Sequence, residues 1–203
     1  MNIISNNCTG GFIYKKLLKT EYENPFIWCR LFNDEFLYLM QNYDNINFHN
    51  YEIGKHSNKL VNLTNPFYIK IDDKISINYT HYYFDINANK PAIIKTDFFY
   101  CKIWETILKN YEKRLLRMEG KPVFIFNDDG DYSVFGTNKT WVDVVPQIIE
   151  LATKIDNKII IISNHHSEIK ENNLLILNSK NIFPPHNLEN NEKKILEFLK
   201  SVK

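Results

Sequence analysis

The sequence has few cysteines and glycines and no long apolar run. It contains three cysteines and six glycines in 203 residues. The three cysteines are odd in number and lack CxxC spacing, which argues against a disulfide framework or a zinc-ribbon site. Apolar runs such as Ile159 to Ile162 are far shorter than the roughly 20 residues that span a bilayer. Hydrophobic residues nevertheless make up 44% of the chain, which excludes a disordered or fibrous protein.

An excess of either charge is also absent. Twenty-five Lys and Arg face 24 Asp and Glu, which leaves a net charge of +1. With no dense basic block, nucleic acid is not expected as a partner. The first residues, Met1 to Asn7, have neither a basic segment nor an apolar signal segment, so a reducing cytoplasmic location is expected. No transmembrane segment is expected, although peripheral association with a membrane surface stays compatible with this composition.

The pattern of apolar residues predicts a single α/β domain over residues 1–203. Buried, β-branched segments alternate with amphipathic segments, which is typical of a mainly parallel sheet flanked by helices. An antiparallel hairpin insertion is predicted at 67–79, around Asp72-Asp73-Lys74. The predicted strands are 2–5, 123–126, 158–162 and 174–177, and the predicted helices follow Gly11 and cover 97–118, 141–154 with a bend near Pro146, and 190–202.

Two further segments complete this assignment. Residues 25–32 are predicted to be a buried strand or extended segment, followed by a helix that Asn33 or Asp34 caps. The Asn-rich stretch 45–65 is predicted to be loop.

Two of the six glycines lie in the first predicted loop, beside a cysteine. Asn6, Asn7, Cys8, Gly10 and Gly11 follow the first strand and precede a helix. In open α/β sheets, ligands bind beyond the carboxyl ends of the strands. Glycine lets backbone N–H groups approach a ligand oxygen, and a helix start lowers a cysteine pKa. The loop is therefore a candidate for a thiolate beside an oxyanion-binding backbone.

A nucleophilic cysteine needs a base, and His81 with Asp85 is the candidate pair. His81 follows the second strand of the predicted hairpin and would accept the Cys8 proton, while Asp85 would orient the imidazole ring. The alternative interpretation is that Cys8 is a small buried residue and His81 a surface histidine.

Several of these segments resemble a known family. The stretch Ile3 to Tyr14, the segment Asn24-Pro25-Phe26 with Trp28, the step His81-Tyr82, Tyr111 to Arg114 and Phe126-Asn127-Asp128 carry the likeness. Together they resemble an uncharacterised bacterial family usually described as exopolysaccharide biosynthesis proteins, a domain of unknown function. More weakly they resemble a second uncharacterised family, labelled papain-like cysteine peptidase. Thr9 departs from the first family, which usually has Trp there.

The resemblance implies an enzyme of surface polysaccharide biosynthesis, expected to be a transferase that acts on a sugar, sugar-nucleotide or glycan substrate. Cys8 and His81 would be its catalytic pair, and no cofactor is expected. The residues expected to contact substrate are Asn6, Asn7, Gly10, Gly11, Arg114, Asn127 and Asp128.

Two alternatives stay open. Asp129 and Asp131 form a DxD motif after a buried strand, an arrangement that in nucleotide-sugar glycosyltransferases holds Mn²⁺ or Mg²⁺. Asp-Gly is also a common solvent-exposed turn. His165 and His166 follow another strand and are interpreted as loop surface. A non-catalytic glycan-binding or scaffold protein of the same pathway is the remaining possibility.

Overall fold

A computed structural model describes residues 1–22, 24–55, 67–78, 97–128, 143–180, 188 and 190–201. Its main element is a five-stranded sheet with the order β1-β5-β6-β8-β7. The first four strands run parallel, and β7 is an antiparallel edge strand. The strands are β1 (Ile3–Ser5), β5 (Val123–Asn127), β6 (Ile159–Ser163), β7 (Ile169–Lys170) and β8 (Leu174–Asn178). The predicted α/β class with a mainly parallel sheet is confirmed.

A second, smaller sheet is antiparallel. It contains β2 (Tyr51–Lys55), β3 (Phe67–Ile71) and β4 (Ile75–Asn78) in that order. The predicted hairpin is confirmed, and Asp72 and Asp73 both have positive φ, as a tight hairpin turn of the primed kind requires. The prediction of a loop over 45–65 is wrong for 51–55, while 56–65 lie outside the described residues. The Asn-rich composition made this stretch resemble a loop, but Gly54 of β2 lies directly opposite Tyr68, whose ring occupies the place of a side chain.

The helices cover both faces of the main sheet. They are α1 (Thr9–Phe12), continued by a π-helical segment (Ile13–Leu18), then α2 (Asn33–Asn42) with a 3₁₀ turn (Tyr43–Asn45), α3 (Asp97–Leu115), α4 (Val145–Ala152) and α5 (Glu192–Lys200). On one face, Ile4, Phe124 and Ile161 share a core with α2, α3, α4 and the small sheet. On the other face, Ile3, Ile125 and Ile160 share a core with the N-terminal helical segment and α5. The result is three layers, with alternate strand residues facing opposite cores.

Two helix starts differ from the prediction. For the helix predicted over 141–154, broken or bent near Pro146, the structure has α4 begin at Val145 with Pro146 in its first turn, so Asp143 and Val144 are not helical and no bend lies within α4. Proline is tolerated there because first-turn N–H groups have no partner within the helix. Helix α2 begins at Asn33, and the N-cap position is Phe32, whose N–H donates to the Glu35 carboxylate at 2.9 Å. Neither Asn33 nor Asp34 is therefore the N-cap.

The outer edge of β1 is covered by side chains. The Tyr14 hydroxyl accepts a hydrogen bond from the Ile3 N–H at 2.9 Å, and the Asn24 side-chain amide donates to the Ile3 carbonyl at 2.5 Å. These bonds replace the ones that a further strand would make. They also fix Asn24 beside β1. The strand or extended segment predicted over 25–32 is not continuous, because it contains bends, Trp28 has a positive φ and, among the described residues, its pairing is the single bridge of Arg30 with Asn78. In the described part of the chain, no helix combines the length and apolarity needed to cross a bilayer.

Candidate functional site

Buried polar side chains collect where the parallel strands of the main sheet end. They belong to the last residue of a strand or to the one or two residues after it, and they are Ser5, Asn6, Asn7, Asn127, Asp128, Ser163 and Ser179. Burying polar groups is costly unless they are hydrogen-bonded, so a cluster of them argues for a purpose beyond packing. The carboxyl edge of an open α/β sheet is also where ligands bind. This edge is the candidate site.

Asn6 joins the ends of β1 and β5. Its side-chain amide donates to the Asn127 carbonyl at 2.9 Å, and its Oδ1 accepts the Asn127 N–H at 2.8 Å. Its own carbonyl accepts the Leu31 N–H at 2.8 Å. Asn6 and Asn127, predicted to contact substrate, are thus brought together, and both side chains are buried at the floor of the site.

A second asparagine organises the turn into α1. Asn7 Oδ1 accepts the Thr9 N–H at 3.0 Å, and the Asn7 N–H donates to Ser5 Oγ at 3.3 Å. The Phe12 N–H then donates to the Cys8 carbonyl at 3.2 Å, so the helix starts at once. Side-chain bonds of this kind satisfy N–H groups that the first turn of a helix leaves without partners.

The two glycines lie inside α1, which corrects the prediction that they belong to the loop. Both are buried. A Cβ on Gly10 would lie 3.0 Å from the Ser5 Cβ, and one on Gly11 would lie 2.6 Å from Cε2 of Trp28. Close packing of the helix against β1 and the Trp28 ring therefore accounts for glycine at both positions.

Cys8 is the accessible residue of this buried segment. From Asn2 to Gly11, every residue except Cys8 is buried, and Cys8 is half-buried. It is also the N-cap residue of α1 and is not in a disulfide. Cys8 is therefore more exposed than its neighbours, and the choice between a nucleophile and a small packing residue stays a prediction.

A second thiol lies behind Cys8. Cys29 is fully buried, and desolvation raises its pKa far above the usual value. The charge of Cys8 raises the Cys29 pKa further, whereas Arg114 lowers it. Cys8 and Arg114 therefore each lie within electrostatic range of Cys29. Of the two thiols, Cys29 is the unreactive one, because an uncharged buried thiol is a poor nucleophile.

His81 and Asp85 lie outside the described residues, as do Asp129 and Asp131. The described chain before His81 ends at Asn78, which exchanges backbone hydrogen bonds of 2.7 and 3.1 Å with Arg30. Leu31, the next residue after Arg30, is the one that bonds to Asn6. The end of β4 is thereby connected to the loop that carries Cys8.

Asp128 is a buried carboxyl group at the end of β5. Its N–H donates to the Ile162 carbonyl at 2.9 Å, and its Oδ2 accepts the Ser163 hydroxyl at 2.9 Å. Burial raises its pKa above the ordinary value, and Asp143 adds to the rise, whereas Ser163 and the two histidines that follow β6 oppose it. Such a carboxyl group can hold or release a proton closer to neutral pH than a solvent-exposed aspartate.

His165 and His166 have the surface positions predicted for them. His165 is exposed, His166 is half-buried, and the His165 N–H donates to Ser163 Oγ at 3.1 Å. Within the ranges that the structure describes, no three His, Cys, Asp or Glu side chains form a group that could hold a metal ion.

Sequence reasoning missed Trp28. Its φ is +59°, a left-handed conformation that is uncommon for a bulky residue and indicates local strain. The ring packs on Gly11 and makes edge-to-face contacts with Phe12 and Tyr22, at centroid distances of 4.9 and 6.1 Å. The Pro25-Phe26-x-Trp28 segment was the sequence signal that pointed to it.

Arg114 does not lie among the buried polar residues of the carboxyl edge. It belongs to the last turn of α3, and its guanidinium stacks on the Tyr22 ring at 5.2 Å from the centroid. Tyr22 in turn contacts Trp28, whose ring packs on Gly11, so a chain of aromatic contacts connects Arg114 to α1.

The comparisons with known proteins add a family but no activity. A family model with the description "Domain of unknown function (DUF1919)" matches residues 1–190 of the chain. No curated protein matches the sequence. The expected membership of an uncharacterised domain family is confirmed.

Proposed function

We propose, from the premise that the chain belongs to the DUF1919 family, that it is a cytoplasmic enzyme of bacterial surface polysaccharide biosynthesis. It is a transferase whose substrate is a sugar or a sugar nucleotide. The substrate binds at the carboxyl edge of the main sheet, above the side chains of Asn6 and Asn127.

The accessibility of Cys8 carries this proposal. The side chains around it are buried and hydrogen-bonded, so the segment is rigid, yet Cys8 is only half-buried at the edge where ligands bind. A structural cysteine in such a segment would be buried with its neighbours. A preorganised, accessible thiol is what nucleophilic catalysis requires.

The proposed reaction has two steps. In the first, the Cys8 proton passes to His81, and the thiolate attacks the electrophilic carbon of the donor, whose leaving group departs with the bonding electron pair and takes the proton from His81. In the second, the neutral His81 accepts the proton of an acceptor hydroxyl, whose oxygen displaces the transferred group from Cys8, and His81 then returns that proton to the Cys8 thiolate. Asp85 orients the imidazole ring.

The position of β4 supports the role of His81. Asn78 is fixed next to the segment that bonds to Asn6. His81 follows it by three residues, and three residues of chain reach at most about 10 Å. The base is therefore close in sequence to a point that the fold holds beside the nucleophile.

Replacing the nucleophile tests the proposal. Cys8→Ser and Cys8→Ala, introduced into a producing strain that lacks its own copy, should both abolish polysaccharide export, and His81→Ala should behave alike. Lys193→Ala is the control, because that side chain is 89% exposed on α5, away from the site. When purified wild-type protein is incubated with an electrophilic sugar probe, the Cys8 peptide should increase in mass by the mass of the attached probe. Full export with Cys8→Ser would rule out the nucleophile, and full export with a Cys8/His81/Asp129 triple variant would indicate a non-catalytic glycan-binding or scaffold protein.

A metal-dependent nucleotide-sugar glycosyltransferase is the second candidate. The observation in its favour is that Asp128, directly before Asp129 and Asp131, ends a central strand at the same edge. In that case EDTA abolishes turnover of the sugar nucleotide and Mn²⁺ restores it, and Asp129→Ala is inactive while Cys8→Ser is active. Activity that is indifferent to EDTA would exclude this candidate.

A further inference from the structure

A groove lined by cations lies between the N-terminal helical segment and the end of α3. Its volume is about 580 Å³, within the range of small-molecule sites. Five cationic side chains line it, together with one carboxylate, that of Glu21, although the whole chain has a net charge of only +1. The cations are Lys15, Lys19, Lys113, Arg114 and Arg117. The groove itself is therefore strongly positive, although the protein as a whole is nearly neutral.

The fold separates the acidic residues of α3 from this groove. Glu112 accepts a hydrogen bond of 2.8 Å from the Tyr51 hydroxyl, on the side of the small sheet. Glu21 forms an ion pair with Arg117 at the rim. The C-terminus of a helix attracts cations, which explains cationic side chains at the end of α3. It does not explain why cationic side chains of the N-terminal helical segment line the same cavity.

Arg114 is positioned for directional binding. Its guanidinium carbon lies 5.2 Å from the centroid of the Tyr22 ring, and Tyr22 is held by edge-to-face contacts with Tyr14 and Trp28, at 6.0 and 6.1 Å. A planar guanidinium group can give two parallel hydrogen bonds to phosphate oxygens, which an ammonium group cannot. The lysines add positive charge, and their ammonium groups do not require hydrogen bonds in one fixed direction.

We propose that this groove binds the diphosphate group of a ligand. Two adjacent phosphates carry the charge that several cations can neutralise, and the cavity has room for the groups they link. This inference rests on the proposed function only for the identity of the ligand, which would be the sugar-diphosphate donor. The donor would come either from solution, as a nucleotide sugar, or from a membrane, as a lipid-linked sugar.

Calorimetric titration with inorganic pyrophosphate and with UDP tests the groove itself. Wild type should bind both, more weakly at high salt, and Arg114→Gln or Lys15→Gln/Lys113→Gln should weaken binding by about tenfold or more. The double variant replaces only exposed side chains, so it keeps the test valid if Arg114→Gln does not fold. Lys109→Gln is the matched control, since it removes one charge from the same helix outside the groove, and its affinity should equal that of wild type.

Glu21→Gln gives a prediction of opposite sign. Removing this carboxylate frees Arg117 and raises the charge of the groove, so pyrophosphate and UDP should bind about threefold to tenfold more tightly. Tighter binding supports the site. Affinity equal to or weaker than that of wild type would overturn it, as would the same affinity in the groove variants.

Vesicles distinguish the two sources. Phosphatidylcholine vesicles that carry a polyprenyl diphosphate should capture the protein if the donor is lipid-linked, and Leu116→Gln should then reduce capture, because Leu116 is 78% exposed beside Arg117. With a soluble donor, UDP binds and vesicles do not. If pyrophosphate, UDP and vesicles all fail to bind, the proposal is overturned. Cys8→Ala should bind pyrophosphate like wild type, so failure of the groove and failure of the proposed nucleophile are separate results.

Discussion

The side chain of Asn6 and the backbone of Asn127 exchange two hydrogen bonds, of 2.9 and 2.8 Å, although 121 positions separate them in the sequence. This pair extends the pairing of β1 and β5 by one residue beyond Ser5, up to the last residue of β5. It also holds the two loops of the candidate site, the one with Cys8 and the one with Asp128, at a fixed separation. The geometry of the site therefore depends on a residue that need not touch substrate.

Replacing Asn6 with Ala should destabilise the protein by about 2–4 kcal/mol, because the buried N–H and carbonyl of Asn127 both lose their partner. Urea unfolding, followed by circular dichroism, measures the change. Asn47→Ala is the control: its Oδ1 accepts the His49 N–H at 3.1 Å, but both residues are exposed. That variant should change the free energy of unfolding by less than about 0.5 kcal/mol. Equal losses in the two variants would contradict the role given to Asn6.

Much of the fold could be predicted from alternation and periodicity. The buried strand Ile159–Ser163 and the helix Asp97–Leu115 have patterns that few alternatives satisfy. The meeting of Asn6 and Asn127 at one edge followed from the rule that parallel strands end at the same side of a sheet. Their direct pairing did not, since strand order depends on long-range packing that local pattern does not record.

The residues that sequence reasoning missed depend on tertiary contacts. Gly54 reads as a loop residue until the Tyr68 ring is placed over it, and Gly10 and Gly11 read as loop residues until β1 and Trp28 are placed against them. Likewise, Lys15 and Arg114 lie in separate helical segments, and only the packing of those segments makes them face one groove. Residue type indicated the chemistry at these positions, but the neighbours determined which role each residue has.

Gly11→Ala should destabilise the protein despite the better helix propensity of alanine. The added Cβ would lie within 2.9 Å of three atoms of the Trp28 ring, so the ring must shift or the helix must move. Overpacking of this kind costs about 1–3 kcal/mol. Urea unfolding measures the loss, and a shift in tryptophan emission reports the displaced ring.

Gly120→Ala separates this clash from backbone strain. Gly120 has φ +74° and no atom within 4 Å of its virtual Cβ. Alanine there should cost about 1 kcal/mol through the left-handed backbone and leave tryptophan emission unchanged. A Gly11→Ala protein as stable as wild type, with unchanged emission, would refute the packing assigned to Trp28.

Asp128→Asn should alter the pH dependence of stability in a direction that the pKa determines. Burial raises the folded-state pKa of Asp128 above the value of 3.8 that it has when exposed. The protonated Asp128 carboxyl group therefore contributes its full stabilisation of the folded state below pH 3.8. This contribution is lost as pH rises through the folded-state pKa. We expect Asp128→Asn to gain stability relative to wild type as pH rises from 4 toward 7, measured by urea unfolding at each pH.

Asp156→Asn is the matched control, and its effect should have the opposite sign. The ion pair with Lys121, at 2.8 Å, lowers the pKa of Asp156, so its contribution is present above the unfolded-state pKa and is lost as pH falls. Because both side chains are exposed, the effect should be small and should fade with added salt. Parallel pH profiles for the two variants would contradict the burial of Asp128.

Cys8 and Cys29 should differ in reactivity in the folded protein. Cys8 is half-buried at the surface of the site, whereas Cys29 is fully buried and its pKa is raised by that burial and by Cys8 itself. Iodoacetamide at neutral pH should therefore modify the Cys8 peptide at least about tenfold faster than the Cys29 peptide, because only the accessible thiolate reacts. Peptide mass spectrometry at timed intervals measures both rates in one sample. In urea the difference should vanish, and in Cys8→Ser the Cys29 peptide should stay unmodified until the protein unfolds. Equal native rates would show that Cys8 is not the accessible thiol on which the nucleophile assignment depends.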